Sequence, residues 1–365
     1  MTALTDSPTA TDPREAFAER LLEDATRSME TLSVYLGIKL GLYRTLGDAD
    51  GATERDIADR AGIATRYASE WLSQQAAAGY IDCDNPGAEP ELRRYRLAEH
   101  SAEVLTDPDS PFHVAPLTRM FAGCAGVLPR LLEAYRTGGG VPYEAYGVDI
   151  REGIAGVNRP MFLHELADWI AAAPTVEARL RRAPSAKVLD LGCGIGHSSI
   201  ALAKAFPRTT VVGVDLDEAS VAQARDIAAK EGVADRVTFV VGDAAEVQSG
   251  EYDLVMMFET LHDMGDPVGA LRAARAALAD EGAVLIGDER VGDQLTAPAD
   301  LMERFQFGWS VLHCVAATLA EDPVEVSGTV LRVPTVLRWA REAGYTDADV
   351  LDIENDFWRF YLLRS

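Results

Sequence analysis

The sequence predicts a doubly wound α/β domain preceded by a smaller helical domain, and three observations lead there. From about Lys187 onward, apolar β-rich runs alternate with Ala-rich amphipathic stretches. A glycine-rich turn, Gly192–Gly196, joins the first of these runs to its helix. From about Glu15 to Leu105 the texture is helical instead, with turn signals at LGDADGA and IDCDNPGAEPEL. A chain of 365 residues suits two domains of roughly 100–200 residues each, and its 48% hydrophobic content is enough for two cores.

In chain order, residues 1–14 read as a disordered tail without the basic start or apolar core of a signal peptide. Residues 15–110 read as a helical domain. METLSVYLGIKLGLYRTL is one apolar helix by pattern, and it should pack on another subunit or on the connector. TERDIADRAGIATRYASEWLSQQAAAGYI has helix–turn–helix texture: Thr53 caps the first helix, Ala61-Gly62 turns, and a second helix runs from about Thr65 to Ala78. RRYRLAEH fits a wing strand. Residues 111–186 form a helical connector, with GGG at 138–140 as a flexible joint and YEAYGVD as a pocket cover or a surface loop. In residues 187–365, KVLDL, TVVGVD, VTFVVGD, YDLVMMF and AVLIGDE supply five strands, and ADVLDIENDFWRFYLL supplies two more. Such a sheet binds its ligand at the carboxyl ends of the parallel strands.

Charge and cysteine usage exclude several classes. The net charge of −24 repels phosphate backbones and anionic membrane surfaces. Between Glu30 and Glu103 there are eight Lys/Arg against thirteen Asp/Glu, and the second helix of the helix–turn–helix offers only Arg66, opposed by Glu70. That counts against a DNA reader. No apolar stretch approaches the roughly 18–20 residues of a membrane span. Cys83, Cys124, Cys193 and Cys314 are far apart and form no C-x-x-C pair, which suits a reducing cytoplasm.

The motif KVLDLGCGIGHSS carries the strongest chemical signal. Asp190 ends a strand, and Gly192, Gly194 and Gly196 turn tightly into a helix. The spacing is G-x-G-x-G, not the G-x-G-x-x-G that cradles a dinucleotide pyrophosphate, so a cofactor without phosphates is expected. Asp215, nineteen residues after Gly196, ends the next strand where a carboxylate can accept both ribose hydroxyls. Asp243 follows the third strand, either to read an adenine amine or to cap a helix.

These residues resemble the class I S-adenosylmethionine-dependent methyltransferases, whose sheet is Rossmann-like and seven-stranded. The resemblance covers nearly the whole chain and is closest to small-molecule O-methyltransferases with an N-terminal winged-helix dimerisation domain. It implies S-adenosylmethionine as cofactor, with Asp190 near the methionine amine and Gly192, Gly194 and Gly196 beneath the methionine part. Asp215 would lie on the ribose and Asp243 and Ala244 by the adenine, with Leu216 and Phe258 alongside. The winged helix then becomes the clasp of a homodimer.

In YDLVMMFETLHDMGDP, His262 and Asp263 match the His-Asp of an L-H-D-W-like motif in that family, with Met264 in place of the aromatic. The resemblance makes His262 the general base toward an acceptor hydroxyl. Asp288 matches the first acid that flanks this His; where the second is expected stands Val333. An alternative set, His262, Asp263 and His313, resembles the metal ligands of methyltransferases acting on the carbon beside a 2-oxo acid carbonyl. Asn158, Met161, Phe162, Phe305, Phe307, Trp309 and His313 are candidates for the wall of a small-molecule acceptor pocket, although aromatics at helical spacing also read as plain core. N- or S-methylation, and a regulator that senses S-adenosylmethionine, are the remaining alternatives.

Overall fold

The computed structural model describes residues 12–48, 51–182, 186–248 and 250–365. They form two compact units, one reaching Thr118 and the other running from Arg119 to Ser365. Most of the expected connector thus belongs to the second unit. The tail expected over residues 1–14 lies outside the described residues as far as residue 11. Past it, Asp12 accepts from the Arg14 N–H at 2.9 Å and caps a helix that starts at Pro13.

The first unit holds α1 (Pro13–Lys39), α2 (Leu42–Gly47), α3 (Glu54–Ala61), α4 (Thr65–Ala77), β1 (Asp82–Cys83), β2 (Tyr95–Arg96) and α5 (Glu99–Thr106). The single apolar helix expected at METLSVYLGIKLGLYRTL is two: the chain breaks at Gly41, which takes the left-handed conformation at φ 67°. A capping box between Thr53 and Asp56 starts α3, and Gly62 at φ 68° ends it. β1 and β2 pair antiparallel as the wing, and Ala52 bridges to Tyr95. Leu42, Tyr43, Leu46, Ile57, Trp71 and Leu72 form the core. Trp71 donates its indole N–H to the Ser33 carbonyl at 2.9 Å. Much of α1 has no cover: Phe17, Leu21, Leu22, Met29, Leu32 and Leu36 are exposed.

The second unit begins within α6 (Leu117–Thr137) and continues through α7 (Gly147–His164), α8 (Leu166–Ala171) and α9 (Pro174–Arg181). The alternating part follows: β3 (Ala186–Leu191), α10 (His197–Ala205), β4 (Thr209–Asp215), α11 (Glu218–Lys230), β5 (Val237–Val241), β6 (Tyr252–Phe258), α12 (Pro267–Ala277) and β7 (Leu278–Glu289). Then come α13 (Leu301–Trp309), a π-helical turn over Ser310–Cys314, α14 (Val315–Leu319), α15 (Val333–Glu342), β8 (Asp347–Leu351) and β9 (Trp358–Arg364). The seven-stranded sheet has the order β5-β4-β3-β6-β7-β9-β8, with β9 antiparallel to both neighbours and the other pairs parallel.

Alternation along the central strands sends side chains to two separate cores. Val188, Leu254, Met256, Leu285 and Phe360 join one, while Leu189, Val255, Met257, Ile286 and Tyr361 join the other. Both faces are therefore buried, as continuous apolar strands require. The GGG segment is not a free joint. A Cβ on Gly140 would lie 2.1 Å from the Ala320 nitrogen, and the Val141 N–H donates to the Ala316 carbonyl at 2.8 Å, so the segment is seated on α14. No helix among the described residues is long and apolar enough to cross a membrane.

Candidate active site

The parallel strands deliver carboxylates at their carboxyl ends: Asp190 on β3, Asp215 on β4, Asp243 past β5, Glu259 past β6, and Asp288 with Glu289 on β7. Between β3 and α10 the chain turns through Gly192, Gly194 and Gly196 at φ 73°, 51° and 84°. The three glycines have different surroundings. A Cβ on Gly192 would meet the Thr260 hydroxyl at 2.0 Å and one on Gly196 the Phe239 ring at 2.5 Å, whereas one on Gly194 would meet nothing within 4 Å. Two of the glycines thus allow close packing, and the third leaves open space. Asp215 turns one oxygen to the Gly194 N–H at 2.7 Å and the other to the Asp217 N–H at 2.9 Å. Arg151 on α7 donates to Asp217 at 2.7 Å and ties that helix to the start of α11.

Leu216 is exposed beside Asp215, and Ala244 is partly buried against the second core. Asp243 caps the short turn after β5, accepting from the Ala245 N–H at 2.8 Å. Asp190 has a structural role within the turn. It is buried and accepts from Ser198 and Ser199 at 2.6 Å each, so it braces the glycine turn against α10. Burial lifts its pKa to about 6 against the two hydroxyls. Phe258, expected beside the cofactor, stacks on Trp358 at 6.0 Å within the aromatic core.

A second centre lies where the loop after β6 meets the end of β7. His262, 2% exposed, has Nδ1 at 2.8 Å from the Asp288 carboxylate. Its Nε2 lies 3.4 Å from Asp263 Oδ1 and 3.7 Å from the Cys314 sulfur. Burial by itself lowers the imidazole pKa, but the facing Asp263 and Asp288 raise it well above the ordinary value. Val333, where a second flanking acid was expected, opens α15 and packs against the apolar core; Asp263 is the second carboxylate on the ring.

The set His262, Asp263 and His313 does not assemble among the described residues. The candidate ligand atoms that gather within 4.8 Å belong to His262, Asp263 and Cys314. His313 turns Nδ1 to the Cys314 sulfur at 3.5 Å, so the thiol stands between the two imidazoles. The other expected pocket residues divide. Asn158 donates its amide to Glu259. Phe162 belongs to the aromatic core with Trp169, Phe258 and Trp358, and Met161 packs against it. Trp309 is buried against Phe121 and Phe305.

Sequence reasoning gave no role to Glu259, Glu289 or Cys314 near this centre, and it read Tyr143 and Tyr146 only as part of a pocket cover or surface loop. Glu259 holds a left-handed backbone at φ 53°, a rare conformation for a non-glycine residue. Burial raises its pKa to about 7, opposed by the Asn158 amide. Burial and the adjacent Glu259 raise that of Glu289, to which Gln306 donates. Tyr143 and Tyr146 set their rings edge-on to His313 at 5.7 and 4.6 Å. Charged residues closing the apolar runs of β6 and β7 were the available signal for the two glutamates. Nothing in the sequence singled out Cys314.

Comparison with known proteins agrees with this layout. Residues 183–335 match a family described as a methyltransferase domain, and residues 28–107 match the Rv2258c-like winged HTH domain. The chain is 36% identical over 104 residues to 27-O-demethylrifamycin SV methyltransferase of Amycolatopsis mediterranei, covering 28% of this chain and 38% of that protein. It is 33% identical over 102 residues to the chloroplastic tocopherol O-methyltransferase of Arabidopsis thaliana, covering 27% and 29%. The chain thus spans well under half the length of these curated relatives. Among solved structures, mitomycin 7-O-methyltransferase MmcR aligns with a TM-score of 0.69 at 20% identity, over 98% of this chain and 100% of that one. Human N-acetylserotonin methyltransferase in complex with SAM aligns with 0.68 at 19%, over 98% and 99%. At such identities the likeness is one of fold.

Proposed function

We propose that this chain, which carries a methyltransferase domain beside a winged HTH domain, transfers the methyl group of S-adenosylmethionine to a hydroxyl oxygen of a small molecule. The observation that carries this reading is the strand-end geometry: an open Gly194 next to a Gly194–Asp215 hydrogen bond, with the His262–Asp288 pair two strands away. The residues fit the cofactor. Within the Gly192–Gly196 turn, Gly194 leaves room for the methionine part, Asp215 has lone pairs for ribose hydroxyls, and Leu216, Asp243 and Ala244 offer an apolar and polar edge for adenine. When bound, S-adenosylmethionine supplies an electrophilic methyl on a sulfonium. His262 removes the acceptor's proton, Asp288 holds its Nδ1–H, and Asp263 stabilises the imidazolium that results. A positioned base of this kind is worth roughly 10²–10⁴-fold in rate.

The chain acts in this reading as a cytoplasmic homodimer clasped through α1. Its four unpaired cysteines and the exposed apolar face of α1 support that. Arg66 on α4 pairs with the exposed Glu70, which disfavours phosphate contacts there.

The test is methyl transfer from labelled S-adenosylmethionine to separate pools of phenols, amines, thiols and 2-oxo acids. Product from the phenol pool, falling roughly 10²–10⁴-fold in His262→Ala, is the expected outcome. Product only from amines or thiols, unaffected by that substitution, overturns the hydroxyl acceptor and the base. Product only from 2-oxo acids makes the reaction a C-methylation. Asp215→Ala serves as the cofactor control and should weaken binding of S-adenosylhomocysteine.

A further inference from the structure

Cys314 stands in a chain of hydrogen-bonding groups between two imidazoles. Both nitrogens of His262 face carboxylate oxygens, Asp288 at 2.8 Å and Asp263 at 3.4 Å. Asp288 accepts the Nδ1 hydrogen, and the two carboxylates raise the ring's pKa well above its ordinary value, so until the base is called on Nε2 carries a hydrogen as well. The Nε2–H also points at the Cys314 sulfur, 3.7 Å away. With that donor on one side, the sulfur can give its own hydrogen to His313 Nδ1 at 3.5 Å. Burial, which pushes the Cys314 thiol up to about 12 and lowers the pKa of His313, agrees with a protonated thiol and a neutral imidazole. A neutral imidazole that accepts at Nδ1 must carry its hydrogen on Nε2.

This Nε2 is buried and has no hydrogen-bond partner, on a side chain only 3% exposed. Buried donors without acceptors are rare and ask for a missing partner. The ring cannot readily turn away, since Tyr143 and Tyr146 flank it edge-on at 5.7 and 4.6 Å. The π-helical turn Ser310–Cys314 widens the helix at the point where His313 and Cys314 both meet the His262 centre. Consecutive residues of a regular helix point about 100° apart, and wide turns of this kind recur at functional sites. The Tyr146 hydroxyl donates to the Leu312 carbonyl and the thiol faces both imidazoles, so neither is turned to the His313 Nε2.

Building on the methyltransferase reading, we propose that His313 is a specificity-determining residue whose Nε2–H binds a carbonyl oxygen of the methyl acceptor, distinct from the oxygen that is methylated. The acceptor class is accordingly a hydroxylated carbonyl compound, read at two points: the hydroxyl at His262 and the carbonyl at His313. A carbonyl supplies lone pairs without bringing a hydrogen that would itself need a partner.

The experiment measures binding to protein saturated with S-adenosylhomocysteine. The probes are ortho, meta and para hydroxyacetophenones, each compared with the ethylphenol that lacks the carbonyl. At least one ketone should bind about tenfold or more tightly than its partner, as expected for a buried donor gaining its acceptor. His313→Ala should abolish that difference, and His313→Gln, which keeps an N–H at similar reach, should restore part of it. Binding of S-adenosylhomocysteine by both variants checks that they fold. Nitrogen NMR on histidine-labelled protein should find His313 as the Nε2–H tautomer at neutral pH. A panel in which no ketone exceeds its partner, a preference that survives His313→Ala, or the opposite tautomer overturns the assignment. Failure of the wild-type chain to bind S-adenosylhomocysteine would instead bring down the methyltransferase reading beneath it.

Discussion

His262 and Asp288 show how one contact sets a pH profile. With its pKa raised, His262 holds a proton at neutral pH, and only its neutral form can take the acceptor's proton. The rate should therefore climb with pH until the raised value is passed. Asp288→Asn removes one of the charges that raise it, so the climbing limb should move to lower pH while the plateau falls. A pH–rate profile of both proteins checks this. Stability has its own sign. Glu259 at about 7 and His262 both bind protons more tightly when folded, so their contribution is lost as pH rises through their folded values. His113 and His313, whose pKa values are lowered, act in the opposite sense but are neutral in both states well above their ordinary value near 6.5. The melting temperature of the cofactor-free protein should thus fall by a few degrees between about pH 7 and 8.5, and scanning calorimetry at fixed salt measures it. At this scale the sequence placed His262, Asp263 and Asp288 in one site. It gave no sign that Asp190 would also accept from Ser198 and Ser199, because a strand-end carboxylate looks the same whatever packs against it.

Single elements show where local pattern suffices. The glycine turn was legible because three positive-φ positions in five residues leave few alternatives to glycine. Its glycines nevertheless differ in what surrounds them. Gly196→Ala adds a methyl 2.5 Å from the Phe239 ring and should cost about 1–3 kcal/mol from overpacking, beyond the backbone strain. Gly194→Ala meets open space and should cost only about 1–2 kcal/mol of left-handed strain, yet weaken cofactor binding more than it weakens the fold. Thermal melts paired with S-adenosylhomocysteine titration separate the two. The helix–turn–helix was equally legible, since Thr53 and Gly62 are local caps. The break at Gly41 and the seating of Gly140 were not. In the first case an apolar pattern continues across the break, and in the second the tight contact comes from α14, far along the chain.

For the whole molecule, the exposed row on α1 bears on assembly. Leu21, Leu22, Met29, Leu32 and Leu36 are 42–69% exposed, an uncovered apolar surface of the kind that marks an interface. Replacing Leu32 and Leu36 together by Glu should shift the protein from dimer to monomer in analytical ultracentrifugation, leaving cofactor binding in place. A wild-type monomer at micromolar concentration would refute the clasp.

Sequence periodicity by itself determined the alternation of strands and helices, the glycine turn and the acids at strand ends, because each is set within a few neighbouring residues by backbone sterics and one-sided or two-sided burial. The sheet order, with β9 inserted between β7 and β8, was decided in three dimensions. So were the meetings of His262 with Asp288, 26 residues apart, and with Cys314, 52 residues apart. A residue's pattern reports which face of its own element it occupies. Which side chain it meets depends on strand order, on the helix that packs above, and on a single π-helical turn, and only the folded chain brings those together.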